Sequence, residues 1–169
     1  PGIMDVGEFY ERKEYFLPQL ILSAETLQKA FERLKPMLED QAGAQKKAVI
    51  VMATVKGDIH DIGKNIVCLM LKNQGFEVID LGKDVPAETI VAEAEKAEAD
   101  LIGLSALMTT TMVRMQDTVD LVREKGLKAK TIIGGAVVTE TFCESIGAHG
   151  FATDAVSAVK LAAGLVAGE

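Results

Sequence analysis

AVIVMATVKGDIHDIGKNIVCLMLKNQGFEVIDL, residues 48–81, holds one strand, one loop, one helix and a second strand. Its first eight residues, 48–55, are an apolar run too short for a buried helix and bounded by polar residues, so they read as a strand covered on both faces. Helical spacing of the apolar residues follows over 63–74, and FEVIDL at 76–81 returns to strand. Two apolar strands joined through a helix imply a parallel pair, because parallel strands need a long crossover.

The same alternation runs on downstream. A helix is expected over 87–99, a strand over 101–107 and a long helix over 111–125. A strand over 131–135, a short helix over 139–146, a short strand at GFATD (150–154) and a final helix over 155–166 complete it. Five such units predict an α/β, flavodoxin-like, doubly wound five-stranded parallel sheet, in which ligands bind at the carboxyl ends of the strands. Three loops, GDIHDIG (57–63), SALMTTT (105–111) and GGAVVTE (134–140), belong on that rim and converge on one ligand.

Upstream the pattern is helical. In FLPQLILSAETLQKAFERLKPML (16–38), Leu17, Leu20, Ile21, Ala24, Leu27, Phe31 and Leu34 follow one helix face. Pro18 suits a first turn and Pro36 an end, and a shorter helix is expected over 5–13. The polar stretch 39–47 reads as a linker, giving a partial helical cap over 1–43 and an α/β domain over 44–169. The chain opens on Pro1 rather than Met, which suggests a trimmed piece.

Net charge is −7 with no Lys/Arg cluster, so a nucleic-acid partner is not expected. No apolar run reaches the ~18–20 residues of a membrane span, and Cys68 and Cys143 fall in separate predicted helices as reduced thiols. A cytoplasmic protein is the expectation.

The loop after the first strand admits several chemistries. As a phosphate loop it fails on spacing, since Gly57 and Gly63 do not match G-x-x-x-x-G-K-[ST] and Asn65 stands where a hydroxyl is required. A G-x-G-x-x-G fingerprint is absent. A protein-only metal site lacks donors, because the chain has two histidines, His60 and His149, and no cysteine spacing. What remains is one imidazole with Asp58 two residues before it. A carboxylate on one ring nitrogen fixes the tautomer and makes the other nitrogen a better ligand, sufficient for a metal that arrives inside a macrocycle. A turn or cap histidine on a surface loop is the alternative, and local chemistry leaves both open.

Asp58, His60 and Gly63 form D-x-H-x-x-G, Ser105 and Leu107 form S-x-L, and Gly134–Gly135 follows. This ordered set resembles the signature of the cobalamin-binding domain, in which the corrin binds base-off with a protein histidine as lower cobalt ligand. The helical N-terminus is similar to the cap that precedes this domain in cobalamin-dependent methionine synthase and in methyltransferase corrinoid proteins, a four-helix bundle of which about half is present. The resemblance implies cobalamin or a related corrinoid as cofactor and His60 as the metal ligand. It implies Asp58 as the group that orients His60, and Thr111 as the hydroxyl of a relay that uses serine in methionine synthase. Ser105 and Leu107 would line the slot for the displaced nucleotide tail, Gly134 and Gly135 would let backbone approach it, and Asp61, Ile62 and Thr109 would be further contacts. Tyr10 and Leu17 would cover the upper face, helix-packing core being their alternative. Lys64 reads as a solvated residue of the following helix.

The function so implied is methyl carriage on cobalt, Co(I)/methyl-Co(III), with no catalytic residue of the chain's own. Implied partners are a substrate-specific methyltransferase for methanol, methylamines or methoxylated aromatics, a second methyltransferase with tetrahydrofolate or a thiol such as coenzyme M as acceptor, and a reductive activator. A cobalamin-sensing regulatory module and a flavodoxin-like nucleotide binder are the alternatives.

Overall fold

The computed structural model describes residues 9, 12–16, 18, 19, 22, 23, 25, 26, 29, 30, 33, 34 and 48–168. The chain divides into two compact units, Pro1–Gln41 and Ala42–Glu169. In the first, Phe9, Pro18, Gln19, Leu22, Ser23, Glu25, Thr26, Lys29, Ala30, Arg33 and Leu34 are helical. The helix that contains Pro18 begins with a reach-back bond, the Phe16 N–H donating to Gln19 Oε1 at 3.1 Å, as in a capping box. Tyr10 and Leu17, expected to cover a cofactor, lie outside the described residues, as does the 39–47 linker.

The second unit contains β1 (Val49–Thr54), α1 (Ile62–Asn73), β2 (Glu77–Asp80), α2 (Ala87–Lys96), β3 (Leu101–Ser105), α3 (Thr109–Met112), α4 (Arg114–Glu124), β4 (Lys130–Gly134), α5 (Glu140–Ile146), β5 (Gly150–Ala152) and α6 (Ala155–Ala167). All strand pairs are parallel, in the order β2-β1-β3-β4-β5. This is the flavodoxin-like sheet expected, and its order reverses between β1 and β3, where such folds place their ligands.

Purely apolar strands follow from burial on both faces. Val51, Ala53, Ile102, Leu104 and Ile133 pack on one side with Ile90 and Val91 of α2 and Met115, Val119 and Val122 of α4. Ile50, Met52, Leu101 and Ile132 pack on the other with Cys68 and Leu71 of α1 and Val159 and Ala162 of α6. Cys68 and Cys143 are both buried. Register places Thr54, Ser105, Gly134 and Ala152 in one row across the carboxyl rim.

Helix ends obey local chemistry. Asp154 and Ser157 form a complete capping box at α6, and Thr139 caps α5 by accepting the Phe142 N–H. The long helix expected over 111–125 is instead two stretches, α3 and α4, with the break at Val113. Three consecutive β-branched threonines open it, and the Thr111 hydroxyl bonds back to the Met108 carbonyl at 3.0 Å, a competitor to regular helix. No helix among the described residues is long and apolar enough to cross a membrane.

At the opposite, amino-terminal edge, His149 Nδ1 accepts the Thr131 N–H at 3.0 Å, which fixes the neutral ring with its proton on Nε2. Burial, then Lys130 and Arg123, lower the His149 pKa from 6.5. The stabilising contribution is therefore complete above pH 6.5 and is lost as pH falls towards the lower folded value, because the unfolded chain binds the proton first. The drop in unfolding midpoint between about pH 7.5 and about pH 5.5 is expected to be smaller in His149→Asn than in wild type, and an equal drop refutes this role.

Candidate corrinoid site

The site begins with a turn. Asp58 N–H donates to the Val55 carbonyl at 3.0 Å, closing a turn over residues 55–58 in which Gly57 adopts φ +84, a value that glycine takes without strain. The turn drops the Asp58 side chain beneath the rim, where it is fully buried.

Both carboxylate oxygens of Asp58 are saturated. Oδ1 accepts the His60 backbone N–H at 3.0 Å and lies 2.7 Å from His60 Nδ1. Oδ2 accepts the Thr111 hydroxyl at 2.7 Å, the Leu107 N–H at 2.8 Å and the Met108 N–H at 3.3 Å. Burial works to raise the Asp58 pKa, yet the Thr111 hydroxyl, the His60 and Leu107 N–H groups and the His60 ring together hold it well below the ordinary carboxylate range. A carboxylate surrounded by donors must stay ionised, and an ionised acceptor requires the His60 proton on Nδ1. The lone pair of Nε2 is then free. The His60 side chain is 45% exposed, against 0% for its anchor.

The structure therefore brings together Asp58, His60, Thr111 and the backbone of Leu107. The Leu107 side chain, 42% exposed, stands on the rim beside exposed Met108 and Thr109. Ile59, next to His60 in the chain, is 62% exposed on the loop itself. Asp61 is the residue before α1, its side chain making no cap hydrogen bond, and Ile62 is the first residue of that helix.

Beside the imidazole loop lies a cavity of about 130 Å³, between α1 and α6 over the ends of β1, β3, β4 and β5. Gly63 and Val67, Ser105, Gly134, Gly135 and Ala158 line it. A Cβ on Gly63 would meet nothing within 4 Å. A Cβ on Gly134 would come 3.1 Å from the Ala152 carbonyl oxygen, and one on Gly135 would collide with the Ala106 carbonyl oxygen at 1.9 Å. The pair keeps the strand ends close enough to bound the slot. An exposed imidazole held by a buried carboxylate, next to a slot lined by small residues, is a set of groups that fits a corrinoid. Among the described residues no group of three or more His, Cys, Asp or Glu side chains could hold a bare metal ion, so one imidazole suits a metal that brings its other ligands.

One expectation is corrected. Lys64 is not a solvated residue: its side chain is fully buried, paired with Asp80 and donating to Asn65 Oδ1 at 2.8 Å. Lys64, Cys68 and Leu71 form the buried stripe of α1, at the i, i+4, i+7 spacing of one face. A buried ammonium requires a carboxylate partner, which Asp80 at the end of β2 provides. That spacing was readable from the chain. Asp84, which holds the turn before Asp58, carried no comparable signal.

These features define a corrinoid-binding α/β protein. Residues 48–160 match a family model described as a B12 binding domain, and residues 1–35 match a second model of the same description. The chain belongs to the B12-binding domain family, and its cofactor is cobalamin or a related corrinoid. It is 44% identical over 98% of its length to dimethylamine corrinoid protein 1 of Methanosarcina acetivorans, covering 79% of that protein. It matches the structure of the Methanosarcina barkeri monomethylamine corrinoid protein with a TM-score of 0.86 at 39% identity, over 95% of this chain and 77% of that one. It also matches a chain of the methanol:cobalamin methyltransferase complex MtaBC from Methanosarcina barkeri with a TM-score of 0.71 at 34% identity, over 99% of this chain and 64% of that one.

Proposed function

We propose that this protein is the methyl carrier of a methyltransferase system, with its corrinoid bound base-off and His60 as the lower cobalt ligand. When bound, the corrinoid supplies a cobalt centre that accepts a methyl group from one partner enzyme and yields it to another. The single observation that carries the reading is the 2.7 Å contact from buried Asp58 to Nδ1 of the half-exposed His60, which in the neutral ring leaves Nε2 as the donor atom for a metal.

The chain's own residues prepare that centre. Asp58 fixes the His60 tautomer, Thr111 and the Leu107 N–H fix Asp58, and the exposed Ile59, Leu107 and Met108 offer apolar surface at the same rim to the corrinoid. Ser105 and the Gly134–Gly135 backbone hold the tail in the slot. The first partner is a methyltransferase of the methylamine class, in keeping with the names of the relatives most similar to this chain. The second transfers to tetrahydrofolate or a thiol such as coenzyme M, and a reductive activator restores the lowest cobalt state. The chemistry on the substrate belongs to these partners.

The test is electron paramagnetic resonance of the Co(II) form after reconstitution with hydroxocobalamin. Labelling the protein with ¹⁵N-histidine is expected to change the nitrogen superhyperfine pattern, and His60→Gly is expected to abolish that pattern while retaining cofactor through the slot. An identical spectrum with and without label sinks the ligand assignment.

A further inference from the structure

The loop carrying Asp58 and His60 is gripped from one side by residues that follow β2. The Thr54 N–H donates to the Gly82 carbonyl at 2.9 Å, the Val85 N–H to the Thr54 carbonyl at 3.1 Å, and Val55 pairs with Val85 as a parallel bridge. This extends the β1–β2 ladder up to the turn that precedes Asp58.

Asp84 is the end of that grip. Its backbone is left-handed, φ +56, a conformation uncommon for any residue but glycine and tolerated best by Asp and Asn. In it the residue makes two contacts in different directions. Its N–H donates to the Asp58 carbonyl at 2.9 Å, and its Oδ1 accepts the Gly57 N–H at 2.8 Å with Lys56 Nζ 3.1 Å away. The same side chain therefore seals the turn over 55–58, while the backbone pins Asp58 itself. On the far side, Lys64 and Asp80 tie the first turn of α1 to the end of β2. Between Asp58 and Lys64 lie Ile59, His60 and Asp61 of the loop and Ile62 and Gly63 at the start of α1.

We propose that Asp84 is a positioning residue for His60, an inference that rests on the reading of His60 as the lower ligand. Asp84 does not touch the imidazole. It fixes the turn from which Asp58 projects, and so sets the point about which the His60 ring is held when it meets cobalt. His60 can then leave and return while Asp58 keeps its bonds to Thr111 and Leu107, and the geometry of religation is the same each time.

Two variants separate positioning from simple loop support. Asp84→Gly keeps the left-handed backbone and the N–H to Asp58 but removes the acceptor for Gly57. Asp84→Asn keeps the backbone and an amide oxygen for Gly57 and removes only the negative charge that faces Lys56. With hydroxocobalamin loaded and reduced to Co(II), the fraction showing a protein nitrogen on cobalt is expected to fall several-fold in Asp84→Gly and to recover in Asp84→Asn. In the apoprotein, amide hydrogen exchange at Gly57, His60 and Leu107 is expected to rise about tenfold in Asp84→Gly, as for loss of one charge-assisted hydrogen bond. Unchanged exchange overturns the proposal. Faster exchange with an unchanged Co(II) fraction overturns it too, because Asp84 would then only stabilise the loop. If wild type itself shows no protein nitrogen on cobalt, the lower-ligand reading fails first. The apoprotein exchange at His60 then decides separately: faster exchange in Asp84→Gly keeps Asp84 as the residue that places His60 on Asp58, and no change rejects it.

Discussion

Replacing Asp58 by alanine is expected to lower the unfolding midpoint of the apoprotein by about 6–12 °C, the equivalent of about 3 kcal/mol in a chain of this size. The figure follows from what the carboxylate satisfies. Its removal takes the acceptor from the part-buried Leu107 and Met108 N–H groups and leaves the Thr111 hydroxyl with only the Met108 carbonyl. A buried donor without an acceptor costs about 1–3 kcal/mol. Asparagine is a poor substitute, because its NH₂ must face one or other set of donors. His60→Ala is the control, since its side chain is 45% exposed and Asp58 keeps the His60, Leu107 and Met108 N–H groups and the Thr111 hydroxyl, so its removal should change stability by no more than about 0.5 kcal/mol. A fall of less than about 2 °C in Asp58→Ala would mean that water replaces the carboxylate and that the buried anchor has little energetic weight.

The contrast between these residues bears on how much the chain disclosed before its structure. The strands were legible because burial on both faces makes 48–55, 101–107 and 131–135 mostly apolar, and the parallel sheet followed from their alternation with helices. Asp58, His60 and Gly63 were legible as a short motif. Lys64 was misread because a charged residue beside a motif suggests solvent, although its spacing to Cys68 and Leu71 assigned it to the core face of α1. Asp84 was invisible for a different reason. Its role depends on a left-handed backbone and on a contact to Gly57 across 27 residues, neither of which local pattern encodes. The backbone donors of Leu107 and Met108 are equally silent in sequence, since any side chain carries the same N–H. The break at Val113 depends on where the Thr111 hydroxyl finds its acceptors, which only the folded rim determines.

Gly135→Ala is expected to have the second large effect, a loss of about 2–5 kcal/mol together with loss of cofactor retention. Two causes add. The residue has φ +132, where side-chain-bearing residues are strained, and a Cβ there would lie 1.9 Å from the Ala106 carbonyl oxygen. Neither atom can yield cheaply, because the Cβ is held directly by the backbone of residue 135, the oxygen is backbone, and Ala106 is fully buried. Relief would push Ala106 away and carry its two neighbours along. Ser105 lines the slot, and the Leu107 N–H holds Asp58, so one methyl group disturbs the tail pocket and the histidine anchor together. Gly63→Ala is the informative partner. A Cβ there meets nothing within 4 Å of the protein, and alanine in the first turn of a helix should leave the apoprotein as stable or raise it by up to about 1 kcal/mol. The same methyl group enters the space at the mouth of the slot, so hydroxocobalamin retained after gel filtration should fall while the unfolding midpoint does not. If Gly135→Ala lost cofactor with its midpoint unchanged, the glycine would be serving the ligand alone. If Gly63→Ala kept its full cofactor, the tail would have to enter elsewhere than between α1 and α6.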